Sequence, residues 1–255
     1  MRRVRYAVPS LLTSVALLFA FGALIAVSEH RHALACVAVL LAMVFDGLDG
    51  RVARLTSAQS AFGGEYDSLA DMCAFGMAPA LIAWDWGLRE LGRWGFGVGF
   101  LFVACAALRL ARFNLGAGKA DKRWFEGLPS PAAAAGVTGY VWWSVEAPNA
   151  WGAGSPGLCL VAVAVAALAM VSRVRYFSGK TLRATHWVGA IAGAAAVAGG
   201  LALVGPPRAA LPAALCGLVW IYALAGFVLH GVSATRAMRL RARKARRACG
   251  ARPFP

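Results

Sequence analysis

Acidic residues are scarce in this sequence: 11 Asp and Glu stand against 26 Lys and Arg in 255 residues. The six cysteines form no Cys-x-x-Cys pair, which argues against zinc-ribbon and thiol–disulfide motifs, and we expect small buried thiols. The sequence contains no glycine-rich phosphate loop of the GxGxxG or P-loop type. No polar segment is long enough to bury a core of its own, so we expect no separate soluble domain.

Apolar residues dominate what remains. They make up 60% of the chain, whereas soluble domains contain roughly 45–50%. Stretches of about 20 apolar residues recur along the whole length, as in proteins that cross a membrane several times. We predict an all-α, polytopic transmembrane helical bundle with about eight spans, six of which form a catalytic core. The expected spans run roughly over 10–28, 33–50, 66–84, 94–113, 130–147, 155–172, 185–204 and 210–232.

The basic residues favour one orientation of these spans. With the N-terminus inside, 22 of the 26 Lys and Arg residues fall on the inner side, where positive loops concentrate. We therefore predict cytoplasmic N- and C-termini in the cell membrane, a single transmembrane domain over 1–232 and a basic cytoplasmic tail over 233–255. The net charge of +15 then reflects loops facing anionic lipid, and we expect no nucleic-acid partner.

Five of the 11 acidic residues lie in one short window between two apolar segments: Asp46, Asp49, Glu65, Asp67 and Asp71. The aspartate spacings of three and four residues place each pair on one helix face. Two neighbouring helices could therefore bring four carboxylates around one point. Such residues are costly in a membrane and mark functional sites, and hard divalent cations prefer oxygen ligands. We expect Glu65 to be a solvated loop residue.

The residues between these aspartates suit phosphate chemistry. Two divalent ions about 3.5–4 Å apart can stabilise both the attacking and the leaving oxygen of a phosphoryl displacement. The small residues Gly50, Ala53 and Gly63 would let a nucleotide approach the helix backbone, and Arg54 supplies a planar cation for phosphate. A carboxylate that is not fully occupied by metal could act as general base for an alcohol.

This window resembles the signature of the CDP-alcohol phosphatidyltransferase family. It reads Asp-x-x-Asp-Gly-x-x-Ala-Arg, then eight residues, then Gly-x-x-x-Asp-x-x-x-Asp, with no departure at the defining positions. The resemblance implies a site for two Mg²⁺ or Mn²⁺ ions, with the last aspartate deprotonating the acceptor hydroxyl. The implied metal ligands are Asp46, Asp49, Asp67 and Asp71. The residues implied to seat the cytidine diphosphate group are Gly50, Ala53, Arg54 and Gly63.

Further runs resemble the prokaryotic integral-membrane phosphatidylserine synthases within this family. They are Pro9-Ser-Leu-Leu-Thr13, Arg109-Leu-Ala-Arg112-Phe113-Asn114, Gly127-Leu-Pro129-Ser-Pro131 and Met170-Val-Ser172. This resemblance implies CDP-diacylglycerol and L-serine as substrates, with phosphatidylserine and CMP as products. A zwitterionic acceptor needs a cation for its carboxylate, and Arg112 is the first candidate, with Asn114 as a polar partner and Arg109 on the same face. We also expect a homodimer.

Two other readings stay open. The acceptor could be glycerol 3-phosphate or an inositol phosphate, which would require more cations at the site. Alternatively, the intramembrane carboxylates could carry ions in a divalent cation transporter. The Gly-x-x-Ala-Arg spacing argues against transport, because a transporter needs no nucleotide seat.

Overall fold

The computed structural model describes residues 2–56, 60–116, 124–150, 153–172, 174–177 and 207–223. Within these residues the chain is mostly helical, as predicted. The α-helices are α1 (Arg2–Ser28), α2 (His32–Leu55), α3 (Ala61–Asp71), α4 (Ala78–Trp86), α5 (Arg93–Gly116), α6 (Ser130–Glu146), α7 (Pro156–Val171) and α8 (Ala210–Ala223).

Helices α3 and α4 are two parts of one long helix. A π-helical segment, Met72–Met77, joins them without a break. The N-terminus of α3 is capped by Ser60, whose side chain accepts a hydrogen bond from the Gly63 N–H, as Ser commonly does at this position. π-helical turns are frequent at functional sites. This segment begins directly after Asp71, which makes Asp71 a candidate functional residue.

Among the described residues, three helices are long and apolar enough to cross a membrane by length and composition: Val8–Ser28 within α1, all of α2, and Arg93–Leu115 within α5. Helices α7 and α8 are apolar but shorter. The first six predicted spans each coincide with helical structure. The predicted span at 185–204 and the tail at 233–255 lie outside the described residues, so the total of eight spans and the domain division stay predictions.

One short sheet was not predicted. Strand β1 (Trp124–Glu126) pairs antiparallel with β2 (Arg175–Phe177). The next residue after β1, Gly127, has a φ of +80° and donates its N–H to the Val174 carbonyl at 2.9 Å. A Cβ at this position would overlap the Met170 carbonyl oxygen, so the close approach requires glycine. The contact fixes the chain just before α6 against the end of α7.

Small side chains form much of the core. Ala20 and Ala23 of α1 and Ala35 and Ala42 of α2 are fully buried, which lets these two helices pack closely. Larger side chains, such as Phe75 of the π-helical segment, fill the centre. The described cysteines are free thiols that are buried or half-buried.

Candidate active site

The four aspartates of the signature come together at one end of the bundle. Asp46 and Asp49 lie on the C-terminal part of α2, and Asp67 and Asp71 lie on α3. Carboxylate oxygens of Asp46, Asp49 and Asp67 all lie within 4.8 Å of one another. Asp71 lies one turn after Asp67 on the same helix, and its carboxyl group interacts with that of Asp46. The expected convergence of two acid pairs is therefore present, and we call these four residues the aspartate quartet.

The chemistry of the quartet fits a divalent cation. Four ionised carboxylates this close would repel one another strongly. A divalent ion would neutralise them, and a ligand set made only of oxygen suits hard ions such as Mg²⁺ or Mn²⁺.

Helix α1 holds the quartet from a third side. The Thr13 hydroxyl donates to Asp49 Oδ2 at 2.6 Å, and both residues are only 4% exposed. The neighbouring Ser14 hydroxyl lies 2.9 Å from the Tyr66 hydroxyl on α3. This supporting role was not predicted from the sequence. The sequence does contain a signal for it: two adjacent hydroxyl residues lie inside an otherwise apolar span, and in a membrane protein such residues need a polar partner.

The residues predicted to seat the cytidine diphosphate group flank the quartet. Gly50, Ala53 and Arg54 lie on the last turns of α2, and Gly63 lies one turn before Asp67 on α3. The space beside Gly50 is open: the nearest atom to an added Cβ would be Arg54 Nη1 at 3.9 Å. Residues 57–59, which connect the two helices, are outside the described part of the chain. The role of these four residues stays a prediction.

A cleft of about 280 Å³ opens beside the quartet, between α3 and the end of α5. Asp67 and Asp71 line it on one side, and Asn114 lines it on the other. The Asn114 amide donates to Ser68 Oγ at 3.1 Å and to Glu65 Oε2 at 3.4 Å. One predicted acceptor residue is thus next to the aspartates. Glu65 is exposed but lies on α3 at this cleft, so placing it in a loop was wrong.

The two predicted arginines make different contacts. Arg109 Nη1 donates to Ser130 Oγ at 2.9 Å, its charge interacts with Asp71, and its buried Nε has no hydrogen-bond partner among the described residues. Arg112 Nη2 donates to the Val171 carbonyl at 2.9 Å and so ties α5 to the end of α7. Among the described residues, the unsatisfied buried donor of this pair therefore belongs to Arg109, although Arg112 was the first candidate predicted from the sequence.

The sequence model of the CDP-alcohol phosphatidyltransferase family matches residues 6–171, more than half of the chain. The chain belongs to the CDP-alcohol phosphatidyltransferase family. The residues matched by the family include the whole aspartate quartet, Thr13 on α1 and the arginines of α5.

Curated relatives are similar over about half of the chain. The CDP-diacylglycerol–serine O-phosphatidyltransferase of Helicobacter pylori is 45% identical over 129 residues, which are 51% of this chain and 54% of that protein. The enzyme with the same name from Mycobacterium tuberculosis is 35% identical over 150 residues, 56% of this chain and 51% of that protein. The archaetidylserine synthase of Methanothermobacter thermautotrophicus is 41% identical over 108 residues, 42% of this chain and 45% of that protein. The chain thus spans about half the length of the curated relatives it matches.

Proposed function

We propose that this chain transfers the phosphatidyl group of CDP-diacylglycerol to the hydroxyl of L-serine, giving phosphatidylserine and CMP. The observation that carries the proposal is the convergence of the aspartate quartet in a member of this family. The relatives from H. pylori and M. tuberculosis, which carry the name of this reaction, are similar to this chain over 129 and 150 residues.

The reaction is a displacement at the phosphorus that bears diacylglycerol. The serine hydroxyl oxygen forms a bond to this phosphorus, the bond from phosphorus to the oxygen that bridges the two phosphates breaks, and CMP leaves with that oxygen. The hydroxyl proton passes to Asp71. Two Mg²⁺ or Mn²⁺ ions held by Asp46, Asp49, Asp67 and Asp71 would neutralise the diphosphate and stabilise the attacking and leaving oxygens.

Asp71 suits the role of base for two reasons. It lines the cleft in which an acceptor could sit, and it lies at the edge of the quartet next to the charge of Arg109. It must be ionised to accept a proton, and a divalent ion bound to the quartet would favour the ionised form. A general base also has to come within hydrogen-bond reach of the proton that it removes, and the cleft gives a serine hydroxyl access to Asp71.

The unsatisfied donor of Arg109 indicates how the acceptor, serine, would be bound. We assign the serine carboxylate to Arg109, because a buried guanidinium N–H with no partner is costly until a ligand fills it. Asn114 would bind the polar end of the same ligand from across the cleft. Arg112 remains a candidate for the carboxylate, since within the described part of the chain its guanidinium donates from Nη2 alone, to Val171.

The nucleotide and the lipid would approach from different sides. The cytidine diphosphate group would lie against Gly50, Ala53, Arg54 and Gly63, which flank the quartet at the ends of α2 and α3. We place this end of the bundle at the cytoplasmic face of the cell membrane because most basic residues are on that side. The acyl chains would then remain in the lipid between helices. A homodimer is part of the same proposal.

The full chain, purified in detergent and supplied with CDP-diacylglycerol, tests the proposal. We expect CMP release that requires L-serine and Mg²⁺ or Mn²⁺, stops on complete chelation, and returns when the metal is restored. Glycerol 3-phosphate and an inositol phosphate serve as competing acceptors, and faster CMP release with either would overturn serine as the substrate. Metal flux into vesicles with no turnover of CDP-diacylglycerol would instead support the transporter.

A further inference from the structure

A second cluster of ligand-type side chains lies away from the aspartate quartet. His30 Nδ1 and His32 Nε2 lie 2.8 and 2.9 Å from the same oxygen, Oδ2 of Asp85. These three ligand atoms all lie within 4.8 Å of one another. His30 lies in the turn between α1 and α2, His32 begins α2, and Asp85 lies in the last turn of α4. We call these three residues the His–Asp cluster.

This cluster is at the other end of the same helices. His32 precedes Asp46 by fourteen residues, and Asp85 follows Asp71 by fourteen. At 1.5 Å per helical residue, each interval corresponds to about 20 Å. The two groups of side chains therefore cannot share one ion, and the reaction proposed above uses none of the three residues.

We propose that His30, His32 and Asp85 form a binding site for a transition-metal ion of the Zn²⁺ class. Two imidazoles and one carboxylate are a ligand set that Zn²⁺ uses in proteins, with water completing a tetrahedron. The set differs in kind from the oxygen-only quartet, because imidazole nitrogen favours Zn²⁺ and similar ions over Mg²⁺. Small shifts of the side chains are enough to replace the hydrogen bonds by metal–ligand bonds.

The exposure of the three side chains suits a site that is held on one side and open on the other. The side chain of His30 is 69% exposed, whereas those of His32 and Asp85 are 19% and 12% exposed. An ion could enter past His30 and keep a water molecule on that side.

The backbone also holds His30 toward Asp85. His30 has a φ of 57°, the only positive φ of a non-glycine residue in the described part of the chain. The turn is closed by hydrogen bonds from the Arg31 N–H to the Ala26 carbonyl at 2.8 Å and from the His30 N–H to the Val27 carbonyl at 2.9 Å. Glycine commonly occupies this left-handed position after a helix. A histidine at this position adopts a backbone conformation that is less favourable for it than for glycine, and its imidazole is directed to the Asp85 carboxylate.

The same contacts could instead be a hydrogen-bonded clasp that joins the α1–α2 turn to α4. In the clasp, each ring presents an N–H to Asp85. In the metal site, the same two nitrogens must present lone pairs, so neutral rings would adopt the other tautomer. The two states exclude each other, and metal binding distinguishes them.

Calorimetric titration of the full chain in detergent with Zn²⁺, in excess Mg²⁺, tests the site. We expect one Zn²⁺ to bind per chain at the His–Asp cluster. The main variant is His30→Gly, because glycine suits the backbone at this position and removes only the side chain. Its zinc affinity should fall by about tenfold or more, since even outer-shell partners of a metal contribute that much. Asp85→Asn should have a similar effect.

Two further proteins complete the test. Glu29→Gln is the matched control, because Glu29 is exposed in the same turn and its carboxylate lies 3.5 Å from Arg31 instead of in the cluster; zinc affinity should not change. Asp46→Asn/Asp67→Asn, which disrupts the quartet, should still bind the ion. The site is overturned if the wild-type chain binds no Zn²⁺, if His30→Gly and Asp85→Asn bind it unchanged, or if the quartet variant loses it.

Discussion

The two ends of the bundle differ in the side chains that surround their carboxylates. Each end gathers side chains from α2 and from the long helix formed by α3 and α4. At one end, four carboxylates lie close together, and the Thr13 hydroxyl donates to Asp49. At the other end, one carboxylate, Asp85, receives two histidines.

The difference lies in the charge balance. The quartet has more negative charge than the described residues around it neutralise, so it requires protons or cations from outside the chain. The His–Asp cluster contains one carboxylate that is hydrogen-bonded to two imidazoles, so it does not require an ion. We infer that the quartet exists for function at a cost in stability, whereas the His–Asp cluster also contributes to the fold. The following predictions separate the two ends.

The largest effect should come from Asp71→Asn. The amide keeps the shape of the side chain but cannot accept the hydroxyl proton, and general bases contribute about 10²–10⁴-fold to rates. We expect serine-dependent CMP release to fall by a factor in this range while the protein remains folded in detergent. Glu90→Gln, an exposed acid on the short helix Leu88–Leu91, is the control and should keep wild-type activity. Full activity in Asp71→Asn would remove it as the base.

A smaller effect should come from Thr13→Val, which removes the hydrogen bond to Asp49 and keeps the volume nearly unchanged. Partners of metal ligands typically contribute 10–100-fold to metal affinity. We expect the Mg²⁺ or Mn²⁺ concentration for half-maximal activity to rise by about tenfold, with a smaller change in the rate at saturating metal. Thr13→Ser keeps the hydroxyl and should restore the wild-type metal requirement. If Thr13→Ser and Thr13→Val behave alike, the hydroxyl does not position Asp49.

The two arginines of α5 should differ in their effect on serine. Arg109→Lys keeps a positive charge but loses the Nε–H donor and the fork of the guanidinium. We expect the KM for serine to rise by about tenfold, which corresponds to the roughly 1.4 kcal/mol of one lost hydrogen bond to a charged group. Arg112→Lys should change the KM less, because Arg112 donates to the Val171 carbonyl. The reverse order would return the acceptor carboxylate to Arg112.

The smallest effects should have opposite signs at the two ends. Without metal, Asp46→Asn removes a repelling charge and should stabilise the protein by about 1 kcal/mol. Asp85→Asn removes the partner of two histidines and should destabilise it by about 1–3 kcal/mol. Thermal unfolding in detergent at neutral pH, with a chelator present, gives both values. If the two substitutions shift the unfolding temperature in the same direction, the contrast in charge balance is wrong.

The Asp85 effect should also depend on pH. Because the pKa of Asp85 is lowered in the folded protein, its contribution is present above about pH 4, the ordinary aspartate value. The contribution is lost as the pH falls through the lowered value, since the unfolded chain then binds more protons. The difference in stability between the wild type and Asp85→Asn should therefore shrink in acid.

Local pattern made much of this protein predictable. The length of the apolar runs located the first six helical segments, because a membrane span needs about 20 apolar residues. The largest difference is the start of α1, at Arg2 instead of residue 10. The spacings within Asp46–Asp49 and Asp67–Asp71 placed each pair on one helix face, since side chains three and four apart are neighbours on a helix. The scarcity of acids elsewhere made their clustering visible.

Contacts between distant segments were not predictable in this way. Thr13 reaches Asp49 across 36 positions, and His30 reaches Asp85 across 55. The pairing of β1 with β2 likewise joins segments that are far apart in the sequence. The unsatisfied Nε of Arg109 also depends on how separate helices pack. Periodicity is a property of contiguous backbone, so the sequence alone determined the helices and the face that carries each acid pair. Which faces meet depends on packing between helices, so only the tertiary structure decided that α1 supports the quartet and that a second cluster forms at the opposite end.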